Sequence, residues 1–157
     1  MAYRLRAFIA DKRQLEGLAK VLDGSRVVDL DGELGLLPLT DRVELKLPPE
    51  GAPFPGLKVS QALADCAAKA SADGPLAYAE ADYSSARDFQ ASVVWAGGKV
   101  VAGPLCDDKN WDPREAAVCD RPINAALRLL GVSAAGFDDE WDAVGMARHS
   151  DTADWAP

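Results

Sequence analysis

The sequence predicts an α+β fold: a mainly antiparallel sheet with a ferredoxin-like βαββαβ start, extended by a β-meander, with helices packed on the sheet and short C-terminal helices. Three observations predict it. Over residues 3–82, strand and helix periodicities follow one another in the order strand, helix, strand, strand, helix, strand. The stretch Leu76–Leu105 is the most apolar and most strand-like part of the chain and reads as three strands joined by two short connections. With 157 residues, 48% of them hydrophobic and 27% charged, the chain has the size and make-up of one globular domain, here residues 1–157.

Residues 3–9 alternate. Tyr3, Leu5, Ala7 and Ile9 share one face and Arg4, Arg6 and Phe8 the other, which places the strand near an edge, where arginines reach water. Asp11 then caps a helix whose apolar side is Leu15, Leu18, Ala19 and Leu22, and Asp23-Gly24 ends it. The runs Arg26–Leu30 and Leu34–Leu39 flank Asp31-Gly32-Glu33, a hairpin signal. Val43, Leu45 and Leu47 alternate as in a short strand, and the prolines at 48, 49, 53 and 55 make an extended connection anchored by Phe54. A second helix runs from Lys58 or Ser60 to Ala70 with Leu63, Cys66, Ala67 and Ala70 inward, and Asp73-Gly74-Pro75 stops it.

Leu76–Asp82 completes the series. After the polar connection Ser84–Asp88 come Phe89–Ala96, the tight turn Gly97-Gly98, and Lys99–Leu105, where Pro104 marks an edge or a strand end. Cys106–Arg121 is a long charged loop with room for one helical turn at Pro113–Val118. Pro122 opens a helix with Ile123, Ala126, Leu127 and Leu130 inward; Gly131 caps it. Asp138-Asp139-Glu140 opens another, anchored by Trp141, Val144 and Met146, and the tail from Arg148 is polar except for Trp155.

Charge is unevenly spread. Residues 1–75 carry 10 Lys and Arg against 11 Asp and Glu, whereas residues 76–157 carry 7 against 14, together with all four tryptophans. Such a surface repels nucleic acid and anionic membranes and suits a partner with a basic surface. The first residues, MAYRLRAFIA, lack the apolar core of a signal peptide, and the expected compartment is the cytoplasm. Cys66, Cys106 and Cys119 have no metal-like spacing; Cys106 and Cys119 flank one loop, and pairing between them is not expected there.

No catalytic, metal or cofactor motif is present, so the reading favours binding over chemistry, with no cofactor. His149, the single histidine, stands in Arg148-His149-Ser150-Asp151, but adjacent letters do not make a triad. Glu80 and Asp82 point to one face of a strand and are expected to be solvated. With Tyr78, Gln90 and Ser92 they form an alternative ligand site, for a small enzyme or ligand-binding domain using a polar sheet face. The favoured partner-binding set is Asp107, Asp108, Trp111, Asp112, Asp138, Asp139 and Glu140, where an aromatic ring in an acidic surface supplies contact area and charge supplies orientation.

Three segments, AEADYSSARDFQASVVW (79–95), PINAALRLLGV (122–132) and DEWDAVGMARHSDTADW (139–155), resemble a group of small acidic uncharacterised bacterial proteins. There the first segment reads EAEY, a glycine-rich turn, then QAAAVW; here Ser84–Asp88 stands in place of the turn. In general type the chain also resembles the immunity proteins of bacterial polymorphic toxin systems, which are single-domain, acidic and cytoplasmic. That resemblance implies a cognate toxin domain as the partner, its basic surface occupied by the acidic second half of this chain.

Overall fold

The computed structural model describes residues 2–84, 88–108, 112 and 116–156. Strand β1 (Arg4–Asp11) leads into helix α1 (Lys12–Ala19), then β2 (Val28–Asp29), β3 (Leu34–Pro38), the short helix α2 (Asp41–Glu44) and helix α3 (Gln61–Ala70). The meander β4 (Leu76–Asp82), β5 (Phe89–Ala96) and β6 (Lys99–Cys106) follows, with β7 (Ala117–Val118), α4 (Pro122–Leu129) and α5 (Glu140–Val144) after it. The sheet order is β2-β3-β1-β4-β5-β6-β7, antiparallel except where β7 lies parallel to β6. The first four strands therefore have the ferredoxin-like order, and the meander extends it on one side.

Local chemistry accounts for the helix starts. The Asp11 carboxylate accepts from the Arg13 amide, Ser60 Oγ from Leu63, and Asp139 from Asp142, each satisfying an N–H that has no partner within its helix. Helices α1 and α3 cover one face of the sheet. Their Leu15, Leu18, Leu63 and Ala67 meet Phe8, Tyr78, Val93 and Trp95, and the Phe8 ring lies edge-on to both Tyr78 and Trp95, at 6.0 and 6.5 Å. Phe54 reaches Trp95 from the proline-rich arm, as an anchor there should.

The opposite face is covered by the chain's last third. Leu5, Ala7, Ile9, Leu36 and Ala79 pack against Ile123, Leu127, Val144, Met146 and Trp155. Trp155 is 1% exposed in an otherwise polar tail. Beyond Pro38, where β3 stops, the tail takes its place beside β1: the Arg4 amide donates to Ser150 O and the Arg6 amide to Thr152 Oγ1. Among the described residues no helix is long and apolar enough to cross a membrane.

Three local expectations are corrected. β1 is central, flanked by β3 and β4, because its arginines are met by Glu44 and Asp151 rather than by water alone. Residues 41–44 are helical: Val43 is buried while Leu45 is 84% exposed, so the alternation at 43, 45 and 47 does not mark a strand. Ala117–Val118 pairs with Leu105–Cys106 instead of closing a helical turn, and residues 113–115 lie outside the described ones. Among the described residues, Pro104 falls where β6 has no outer strand partner, since β7 pairs with Leu105 and Cys106. Cys106 and Cys119 are not joined in a disulfide.

Two substitutions test this packing. Trp155→Ala is expected to cost about 3–5 kcal/mol, the usual toll for emptying a large aromatic site, read from the urea midpoint. A near-neutral result would show that the tail is not part of the core. Gly103 sits at φ +98° in the β5–β6 irregularity, and a Cβ there would meet Ser92 O at 2.7 Å. Gly103→Ala should destabilise by about 1–3 kcal/mol in the same assay.

Candidate functional site

Strand register decides which candidate residues can act together. Glu80 pairs with Ala91 and Ala81 with Gln90, so Tyr78, Glu80 and Asp82 face the α1–α3 side while Gln90 and Ser92 face α4. The sheet therefore divides the five residues of the alternative ligand site between two places. On the α4 side, Ser92 Oγ donates to Pro122 O (2.7 Å) and Gln90 Oε1 accepts from the Ile123 amide (3.1 Å). Arg121 makes no side-chain cap for α4, so these strand residues hold its first turn.

Gln90 is also the floor of a cleft of about 410 Å³ between the β4–β6 ends and α4–α5. Its amide donates to Asp107 Oδ1 (2.8 Å), its side-chain nitrogen to Tyr83 Oη (3.2 Å), and Tyr83 in turn to Asp107 Oδ2 (3.1 Å). Across the cleft, Asp139 caps α5 and accepts from Asn124 Nδ2 (3.2 Å), with Arg121 at 3.5 Å; Asn124 Oδ1 takes the Trp141 amide. The Trp141 and Tyr3 rings are 5.1 Å apart and form one wall. Burial raises the pKa of both Tyr3 and Tyr83, keeping the phenols neutral. With Asp120 on the rim, three carboxylates face one guanidinium.

Of the partner-binding set, the structure brings Asp107 and Asp139 into this cleft. Asp108 is half-buried beside Cys106, and the Asp112 carbonyl takes the Ala116 amide. Asp138 is exposed, whereas Glu140 turns towards Arg128 at 3.4 Å with its side chain only 13% exposed. Trp111 lies outside the described residues. Sequence reasoning missed Tyr3, Tyr83, Asp120 and Asn124 as cleft residues; it gave Trp141 as a core anchor, and Trp141 does pack against the α4-side core while also walling the cleft. The one available signal was Tyr83, an aromatic directly after the strand end at Asp82.

The helical face carries a second cluster. Arg4 pairs with Asp82 and Arg6 with Glu80, so charges of opposite sign alternate where the cover of α1 and α3 ends. Arg6 makes a two-pronged ion pair with Glu44 and donates to Lys58 O (3.1 Å). Glu80, expected in water, is 2% exposed, and the arm meets it through the Lys58 amide. Its Oε1 accepts from Tyr78 Oη (2.5 Å) and the Lys58 amide (2.8 Å). Burial raises the Glu80 pKa against these donors and pushes Tyr78 well up as well. For Arg6, burial opposes the charge, but the Tyr78 and Glu44 oxygens outweigh it and raise its pKa. This cluster forms the wall of a cleft of about 320 Å³.

No family model, curated protein or solved structure matches the chain.

The two clefts are accordingly read from their own chemistry. The Ser-His-Asp letters serve local structure: His149 lies edge-on to Trp155 at 4.8 Å, Ser150 O receives the Arg4 amide, and Asp151 pairs with the Arg4 side chain. Among the described residues, no group of three or more His, Cys, Asp and Glu side chains is placed to hold a metal ion.

A raised carboxyl pKa in the folded state means that protons bind the folded chain first. This contribution to stability is full below the unfolded value and is lost as pH rises through the folded one. Glu80→Gln keeps an Oε1 acceptor but cannot titrate. The stability of the wild type relative to the variant should therefore increase as pH falls through the raised folded-state value towards the unfolded one, measured by urea unfolding. A flat difference, or one of opposite sign, would show that burial does not penalise the charge.

Proposed function

We propose that this protein is a protein-binding module, and that the cleft lined by Tyr3, Tyr83, Trp141, Asp107, Asp120 and Asp139 receives a lysine or arginine side chain from a partner with a basic surface. The carrying observation is the composition of that cleft: three carboxylates against a single arginine, walled by two phenols and an indole. Aromatic faces attract a cation, and carboxylates orient its N–H donors. Asp107 and Asp139 are already fixed by hydrogen bonds, so little ordering is required when a partner arrives. The net −7 of residues 76–157, from 7 basic and 14 acidic residues, speeds the approach of a basic surface.

In its most specific form the module is an immunity protein and the partner a toxin domain, neutralised by having its basic surface occupied. The reading is tested by isolating a stoichiometric partner from the native host and titrating it calorimetrically against variants. Trp141→Ala should weaken binding by more than about tenfold, as removal of an interface aromatic does. Asp120→Asn, on the exposed rim, should weaken it less and flatten its salt dependence. A partner indifferent to both changes, or one with an acidic surface, would overturn the proposal.

A further inference from the structure

Lysine and arginine carry the same charge but present it differently. An ammonium gathers its N–H donors on one strongly hydrated atom, whereas a guanidinium spreads them along a planar fork and is more weakly hydrated. The lining of the cleft walled by Tyr3 and Trp141 is matched to the second kind of cation.

Its two fixed carboxylates come from different elements: Asp107 follows β6 and Asp139 caps α5. Each of their four oxygens already accepts a hydrogen bond within the chain. Asp107 Oδ1 takes the Gln90 amide and Oδ2 the Tyr83 hydroxyl; Asp139 Oδ1 takes the Asp142 amide and Oδ2 the Asn124 side chain. The acceptor positions left over are therefore dispersed, and belong to two walls of the cleft. Donors on a single atom fit such positions poorly, while those along the edge of a guanidinium reach out in separate directions.

The aromatic wall acts in the same sense. The Trp141 and Tyr3 rings are 5.1 Å apart and both half-buried, so a cation lying on them gives up part of its water. An ammonium loses that water at greater cost than a guanidinium, which can also stack flat on a ring. The chain itself brings a guanidinium to this site: Arg121 Nη1 lies 3.5 Å from Asp139 Oδ2, with its side chain 67% exposed. The contact is longer than the about 2.7–2.9 Å of a full charge-assisted hydrogen bond, so it leaves Asp139 open to a second donor.

Resting on the reading that this cleft takes a basic side chain, we propose that the side chain is arginine and that the site discriminates against lysine. The guanidinium stacks on the wall formed by Trp141 and Tyr3, and its edge donates to Asp107 and Asp139. Asp120, on the rim, adds an attraction that both cations feel alike.

The test titrates the N-acetyl methylamides of arginine, lysine and citrulline into the full ¹⁵N-labelled chain, followed at the Trp141 indole N–H and the Asn124 side-chain amide. The arginine compound should shift both signals saturably, with a dissociation constant at least about fivefold below that of the lysine compound. Citrulline, which keeps the shape without the charge, should leave them in place. Asp139→Asn retains a good N-cap for α5 and should weaken the arginine compound by about fivefold or more, bringing the two cations closer together. Trp141→Ala, read from the Asn124 amide, should also shrink the preference. Lysine binding as tightly as arginine would overturn the selectivity and leave the cation site standing. If neither cation gives a saturable shift, or citrulline binds equally, the cation site falls with it. A preference unchanged in both variants also sinks the inference, since it would then arise outside this cleft.

Discussion

Everything in this molecule is arranged around the double commitment of β1. It is hydrogen-bonded along both edges, to β3 and the tail on one side and to β4 on the other, and each of its faces is covered by a different layer. In a central strand, a charge that is largely covered, such as that of Arg6, has to be placed in a pair, while Arg4 stays mostly exposed at the strand's start. Arg4 and Arg6 thereby recruit Asp151, Glu44 and, through register, Asp82 and Glu80. The polar cleft is the by-product of that recruitment, and the aromatic cleft begins at Tyr3, one residue before the strand.

Most of the scaffold was legible because its elements obey strong local rules. Leu76–Asp82 and Phe89–Ala96 begin and end where apolar periodicity and turn residues place them, and the caps at Asp11, Ser60 and Asp139 work as their residue types imply. The series strand, helix, strand, strand, helix, strand is present as expected, while the order of its strands in the sheet, which the sequence does not give, is β2-β3-β1-β4. Its failures over charged residues share a cause. Arg4 and Arg6 looked like edge residues, and Glu80 like a solvated one, because a sequence displays charge but not the distant group that cancels it. Glu44 lies 38 residues from Arg6, and Asp151 lies 147 from Arg4.

The candidate sites were legible only as residue types. Asp107 and Asp139 were singled out for their charge, yet each is fixed by its own hydrogen-bond set, Asp107 by Gln90 and Tyr83 and Asp139 by Asn124, on the lining of one cleft. Much of the acidic surplus in the second half is used in this way. Asp139 caps a helix and Glu140 meets Arg128, so the net charge of a segment overstates the acid it offers to a partner. Of the exposed acidic residues described in this half, Asp120 lies on the cleft rim, whereas Asp88, Asp138, Asp142 and Asp154 lie outside its lining.

The tail's place beside β1 also bears on how the chain is made. Tyr3 is tied to Met146, Arg4 to Asp151 and Arg6 to Thr152, contacts between the opposite ends of the sequence. During synthesis, α1 and α3 can cover their face of the sheet as soon as β5 has emerged, since their partners are all in hand. The other face, with Leu5, Ala7, Ile9 and Leu36, stays bare until residues 122–155 leave the ribosome. A nascent chain that has emerged only as far as β6 therefore presents this apolar face bare, and residues 122–155 are what shield it.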